Sequence, residues 1–132
     1  MRVTVDTNVL VRVFADDDAV QNRAANVAMD TATAVILTLP MLCELAWVLS
    51  RGYRIPANEI AQILRDLLET DNAELDRPAV EAGLAILAAG GDFADGVIAY
   101  EGRRLGADTF VSFDRKAVRL LEAQGEPARL LG

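Results

Sequence analysis

The sequence predicts an α/β protein with a mainly parallel β-sheet flanked by helices. Short apolar runs alternate with longer segments of helical periodicity along the 132 residues, as expected where helices connect parallel strands. Hydrophobic residues make up 52% of the chain and aromatic residues only 5%, so the core must consist chiefly of Val, Leu, Ile and Ala. The length fits a single domain over residues 1–132.

The first half of the chain predicts two strands and four helices. Ala34-Val35-Ile36-Leu37 is a continuous apolar run suited to a buried strand. Pro40 suits the first turn of a helix. A stripe of apolar residues from Ile60 to Leu68 indicates a helix that faces either the core or a partner. The acidic run Asp16-Asp17-Asp18 is better explained as a helix start than as a metal site. The predicted elements are strands at 2–5 and 34–37 and helices at 7–14, 19–29, 40–50 and 56–68.

The second half predicts three strands and three helices. Arg77-Pro78 begins a helix that Gly90-Gly91 ends. Asp92 begins the next helix, which ends near Gly106. The strand over residues 109–113 is apolar and short, and the last strand is a possible sheet edge. The predicted elements are strands at 73–75, 109–113 and 128–131 and helices at 77–89, 92–105 and 115–122.

The composition excludes several kinds of chemistry. The chain has no histidine, which removes Ser-His and Cys-His pairs and the usual zinc ligands. The lone Cys43 cannot form an internal disulfide and fits a reducing compartment. No secretory leader and no apolar run of membrane-spanning length is present, so we expect a soluble, cytoplasmic protein. Any catalysis must use carboxylates, hydroxyls and arginines.

The net charge of −7 argues against a general polyanion-binding protein. The basic residues are nevertheless concentrated, since five of them and only two acids lie between Arg103 and Arg119. A solvated helix face explains this cluster slightly better than an RNA-contact patch does.

Five carboxylates form the candidate site. Asp6, Asp92 and Asp114 stand directly before predicted helices, where each is individually explained as an N-cap. Asp95 shares a helix face with Asp92. Glu44 lies inside an apolar helix, where it cannot be a cap. It is either a carboxylate directed into a pocket or part of a solvent-facing stripe. Acids that follow parallel strands can converge, and converging acids require a cation such as a divalent metal ion.

Four segments resemble the motifs of PIN-domain ribonucleases. They are Val5-Asp6-Thr7-Asn8-Val9-Leu10, Leu42-Cys43-Glu44-Leu45, Phe93-Ala94-Asp95-Gly96-Val97-Ile98-Ala99 and Val111-Ser112-Phe113-Asp114-Arg115. Their order and spacing cover the whole chain, and the length is similar to that of VapC-type toxins of bacterial toxin–antitoxin pairs. The chain departs from the family pattern at Gly96, where a larger residue often follows the third acid.

The resemblance implies a PIN-like three-layer fold and a Mg²⁺- or Mn²⁺-dependent endoribonuclease that binds one or two ions. It places the acidic quartet at Asp6, Glu44, Asp95 and Asp114, with Asp92 as a possible additional ligand. It further implies a homodimer and a cognate antitoxin. Small polar residues that would orient the metal ligands are Thr7, Asn8 and Ser112. Weak candidates for contacts to RNA phosphates are Arg103, Arg104, Arg115 and Lys116.

Two rival functions stay open at this point. A haloacid-dehalogenase-like phosphatase also uses an aspartate at a strand end, but it requires Asp-x-Asp where this chain has Asp6-Thr7-Asn8. A catalytically degenerate PIN domain that serves as a binding module is the nonenzymatic alternative. The complete quartet argues against it.

Overall fold

The structure, a computed structural model, describes residues 1–15 and 17–132, so Asp16 lies outside the described residues. The described residues form seven helices and five strands and divide into two compact units, Met1–Asp76 and Arg77–Gly132. The predicted α/β fold with parallel strands is confirmed. The prediction of a single domain over residues 1–132 stays a prediction. No helix within residues 1–15 and 17–132 is long and apolar enough to cross a membrane.

The first unit is a three-stranded parallel sheet with four helices. The strands have the order β1-β2-β3, with Val3 opposite Val35 and Val35 opposite Ala73. The elements of this unit are β1 (Arg2–Thr4), α1 (Thr7–Phe14), α2 (Ala19–Thr31), β2 (Ala34–Ile36), α3 (Leu39–Arg51), α4 (Ala57–Leu68) and β3 (Ala73–Glu74).

The apolar stripe of α4 belongs to the core of the first unit. Ile60, Leu64 and Leu67 are buried, as are Leu42 and Leu49 of the neighbouring α3. Burying such side chains stabilises the fold by about 1.5–3 kcal/mol each. The stripe therefore serves packing within the chain, and these buried residues are not available to a partner.

The acidic turn after α1 is explained by one ion pair and one helix cap. The Asp17 carboxylate accepts hydrogen bonds from the Tyr53 hydroxyl at 2.9 Å and from the Arg12 guanidinium at 2.5 Å. The Tyr53 bond and then the Arg12 contacts lower the pKa of Asp17. Asp18 caps α2 by accepting from the Gln21 N–H at 3.0 Å. The predicted helix start is confirmed for Asp18, whereas Asp17 pairs with Arg12 and Tyr53 instead, and Asp16 lies outside the described residues.

The second unit consists of three helices and a two-stranded parallel sheet. Phe110 lies opposite Ala128, and both pack against a buried cluster that includes Ile86 and Leu121. The elements of this unit are α5 (Arg77–Ala88), α6 (Phe93–Arg104), β4 (Phe110–Ser112), α7 (Arg115–Ala123) and β5 (Ala128–Leu130). Gly90 ends the α5 segment with φ +100°, as the glycine pair predicts.

Two glycines allow α5 and α6 to pack backbone against backbone. A Cβ on Gly96 would stand 2.7 Å from the Gly83 Cα and 2.9 Å from the Ala82 carbonyl carbon. A Cβ on Gly83 would stand 2.6 Å from the Phe93 ring. The departure at Gly96 therefore has a structural reason. A larger residue there would push apart the two helices that hold the first turn of α6.

Candidate active site

The predicted acids are divided between the two units. Asp6 and Glu44 belong to the first unit, and Asp92, Asp95 and Asp114 belong to the second. Each unit therefore carries two members of the predicted quartet, and their surroundings differ.

Asp6 stands between β1 and α1 and caps the helix. Its Oδ1 accepts a hydrogen bond from the Val9 N–H at 3.2 Å, while Oδ2 accepts none from the described residues. Thr7 is buried at 8% exposure and Asn8 is exposed. Neither side chain donates to Asp6 within the described part of the chain, so their orienting role stays a prediction.

Glu44 lies on the exposed face of α3. The opposite face is buried through Leu42, Leu45 and Leu49, each at 0% exposure. Trp47 follows Glu44 by one helical turn and is 62% exposed. The sequence analysis did not single out Trp47, although its spacing of three residues from Glu44 indicates that the two share a helix face.

Asp95 is a candidate ligand whose pKa lies above its ordinary value. It lies in the first turn of α6, where the helix dipole favours a negative charge. Burial and then the charges of Asp92 and Asp114 nevertheless raise its pKa. Asp92 and Asp114 are thus close enough to Asp95 to disfavour its ionisation. This is the arrangement that a bound cation would relieve.

Asp114 is held by two hydrogen bonds at the start of α7. Its Oδ1 accepts from the Ala117 N–H at 3.1 Å, and its own N–H donates to the Ser112 hydroxyl at 2.9 Å. Ser112 therefore fixes the backbone of a predicted metal ligand. Asp92 occupies the N-cap position of α6 but makes no side-chain capping bond. Helix capping therefore explains the positions of Asp6 and Asp114, but it does not explain the position of Asp92.

We expect substitutions at Asp114 to separate its capping role from its role as a metal ligand. Asp114→Ala should lower the free energy of unfolding by about 0.5–2 kcal/mol, because the Ala117 N–H loses its acceptor. Asp114→Asn keeps a capping oxygen and should leave stability nearly unchanged while activity falls. Urea denaturation and a nuclease assay on both variants measure the two effects. If Asp114→Asn were stable and fully active, Asp114 would be a helix cap and not a metal ligand.

The four basic residues predicted to contact RNA phosphates differ in whether they already form an ion pair with an acid. Arg103 donates to Glu126 at 2.8 Å and Arg104 to Glu101 at 2.6 Å. Arg115 and Lys116 are exposed at the start of α7 and form no ion pair with the described acids. Of these four residues, Arg115 and Lys116 are therefore the two without an acidic partner among the described residues. They directly follow Asp114 in the sequence.

The donor set suits a hard divalent cation. Carboxylate oxygens are the ligands that Mg²⁺ and Mn²⁺ prefer. Asp95 supplies a half-buried carboxylate that already experiences two neighbouring negative charges. Within either unit, the described residues include no group of three or more Asp, Glu or Cys side chains arranged to hold a metal ion.

An α/β fold whose aspartates follow parallel strands defines a class of protein in which divalent metal ions commonly serve hydrolysis. The sequence model of the PIN domain matches residues 3–122, and the chain belongs to the PIN-domain family. Proteins of this family are generally nucleases and generally use divalent metal ions. A search of curated proteins found no match to the chain.

Proposed function

We propose that this protein is a Mg²⁺- or Mn²⁺-dependent endoribonuclease and the toxin of a type II toxin–antitoxin pair. The observation that carries the nuclease proposal is the match to the PIN-domain family over residues 3–122, and the half-buried Asp95, with the charges of Asp92 and Asp114 acting on it, supports the acidic site. A carboxylate kept under repulsion at a cost to the fold is typical of a functional site.

The proposed ligands are Asp95, Asp114 and Asp6, with Glu44 acting directly or through water. Asp92 is a possible additional ligand, because no capping bond occupies its side chain. Bound divalent ions, one or two, would activate water and stabilise the charge that develops on phosphate oxygens. Ser112 would hold Asp114 in place, while Arg115 and Lys116 would bind RNA phosphates.

The toxin assignment, the homodimer and the cognate antitoxin rest on the resemblance of the four motifs and the chain length to VapC-type toxins, whereas the proposed cytoplasmic location rests on the lone Cys43. An antitoxin arginine or lysine would pair with the acidic residues of the site and so oppose substrate binding. A small antitoxin-like reading frame directly upstream of the coding sequence would support this part of the proposal independently of any activity.

Metal-dependent RNA cleavage is the direct test. The purified protein, freed of any partner, should cut single-stranded RNA with Mg²⁺ or Mn²⁺ and stop when EDTA removes the metal. Asp6→Asn should be strongly impaired, because the variant loses a carboxylate while an amide oxygen can still cap α1. Gel analysis of end-labelled RNA measures both results. Cleavage that is absent in all metals would indicate a binding module, and equal cleavage by Asp6→Asn would show that the quartet is misassigned.

A further inference from the structure

The exposed face of α3 carries an acid, an aromatic ring and a cation in succession. Glu44, Trp47 and Arg51 are spaced by three and four residues, so they occupy neighbouring turns of one helix face. All three are exposed, and the ring of Trp47 is 62% exposed. Trp47 is the only tryptophan of the chain. A single exposed apolar side chain is ordinary, but its place between these two charges is not explained by packing.

Two arginines and no acid follow Trp47 in the segment up to Asn58, while Glu44 precedes it. The chain as a whole, in contrast, has a net charge of −7. Arg51 and Arg54 are exposed and form no ion pair with the described acids. Both are therefore available to phosphate groups.

We propose that Trp47 is a stacking platform for a base of the single-stranded RNA substrate, with Arg51 binding an adjacent phosphate. The proposal rests on the proposed nuclease function, and it assigns Trp47 to substrate positioning beside Glu44. Aromatic rings and neighbouring cations are the means by which proteins hold single-stranded nucleic acid. The other exposed residues of α3 near Trp47 are Glu44, Ser50 and Arg51, all polar. Single-stranded RNA offers both a base for the ring of Trp47 and a phosphate for Arg51.

Fluorescence and binding measurements test the platform separately from catalysis. The emission of the lone tryptophan should be quenched when a short oligoadenylate saturates the wild-type protein in Ca²⁺, with gels confirming that the RNA stays intact. By anisotropy of an end-labelled oligoadenylate, Trp47→Ala should bind at least about fivefold more weakly, the lower bound for loss of one stacked base. Trp47→Phe should retain most of the affinity.

Matched controls isolate the stacking contribution. Val27→Ala shortens another exposed apolar side chain, 54% exposed on α2, and should bind as the wild type does. An abasic oligomer of the same length should bind the wild type and Trp47→Ala equally, because it offers no base to stack. Circular dichroism should show that Trp47→Ala remains folded, as expected for an exposed residue.

Several results would overturn the platform. These are unchanged emission at RNA saturation, equal oligoadenylate affinity of Trp47→Ala and wild type, or no RNA binding by the wild type. An emission change that follows protein concentration without RNA, together with dimers in sedimentation, would assign Trp47 to a contact between copies instead. Cleavage without quenching would overturn only the platform, whereas quenching without cleavage in Mg²⁺ or Mn²⁺ would overturn only the nuclease proposal.

Discussion

Asp95→Asn is expected to abolish metal-dependent RNA cleavage while making the metal-free protein more stable. Even residues that only support metal ligands commonly cost about 10–100-fold when replaced, so loss of a ligand should lower activity by at least about 100-fold. The gain in stability follows from the electrostatics of the second unit. Burial and the charges of Asp92 and Asp114 oppose ionisation of Asp95, and asparagine carries no charge to oppose.

The raised pKa of Asp95 determines how the stability difference between Asp95→Asn and wild type changes with pH. Folding raises the pKa of Asp95, so its stabilising contribution is fully present below the usual aspartate pKa. The contribution falls as the pH rises from that usual value through the raised one, and it stays low at neutral pH. The difference in stability between Asp95→Asn and wild type should therefore be larger at neutral pH than at acidic pH. Thermal melts in EDTA across this range measure it.

Addition of metal should make the wild type more stable than Asp95→Asn, the reverse of the order expected in EDTA. Mg²⁺ or Mn²⁺ that binds only the folded state raises the melting temperature of the wild type, and the rise grows with the logarithm of the metal concentration relative to Kd. Asp95→Asn should respond much less. Asp66→Asn is a suitable control, because Asp66 lies on α4 in the first unit and is not one of the candidate ligands. If Asp95→Asn were less stable than wild type in EDTA, the interaction of the Asp95 charge with the dipole of α6 would outweigh the repulsion from Asp92 and Asp114.

The order of the elements could be predicted because its signals are local. The apolar run at β2 and the aspartate before α7 act through their immediate neighbours, and Asp114 does accept the predicted hydrogen bond at the helix start. Asp92 has the same sequence signal and makes no such bond. What distinguishes the two is the side-chain geometry at each helix start. A single sequence does not carry this information.

Longer-range features escaped prediction for the same reason. The bond from Tyr53 to Asp17 joins residues 36 positions apart. The exposure of Trp47 depends on which face of α3 the remaining chain covers. Among the candidate site residues, the sequence identified Asp6 and Asp114 through their place after strands and the other acids through the motifs, but it could not assign which acid is under repulsion. That property depends on burial and on the spacing of charges within the second unit.

Gly96→Ala is expected to destabilise the protein even though alanine is the better helix former. Alanine in place of glycine within a helix normally adds about 0.8–1 kcal/mol of stability. Here the new Cβ would stand 2.7 Å from the Gly83 Cα, and this backbone atom of α5 cannot rotate away as a side chain would. Overpacking of this kind costs about 1–3 kcal/mol, occasionally more, and the α5–α6 contact gives it no room to relax. We expect a net loss of about 1–2 kcal/mol and a melting temperature lower by several degrees.

Gly102→Ala provides the matched control on the same helix. A Cβ at Gly102 would meet only the Ala107 Cβ, at 3.9 Å, so the substitution should show the helical gain without the clash. Urea denaturation of both variants should therefore give changes of opposite sign. Because Gly96 directly follows Asp95, separation of α5 and α6 should also displace that carboxylate and weaken the metal-induced rise in melting temperature. If Gly96→Ala matched Gly102→Ala in stability, the close approach of the two helices could not be the reason for glycine after the third acid.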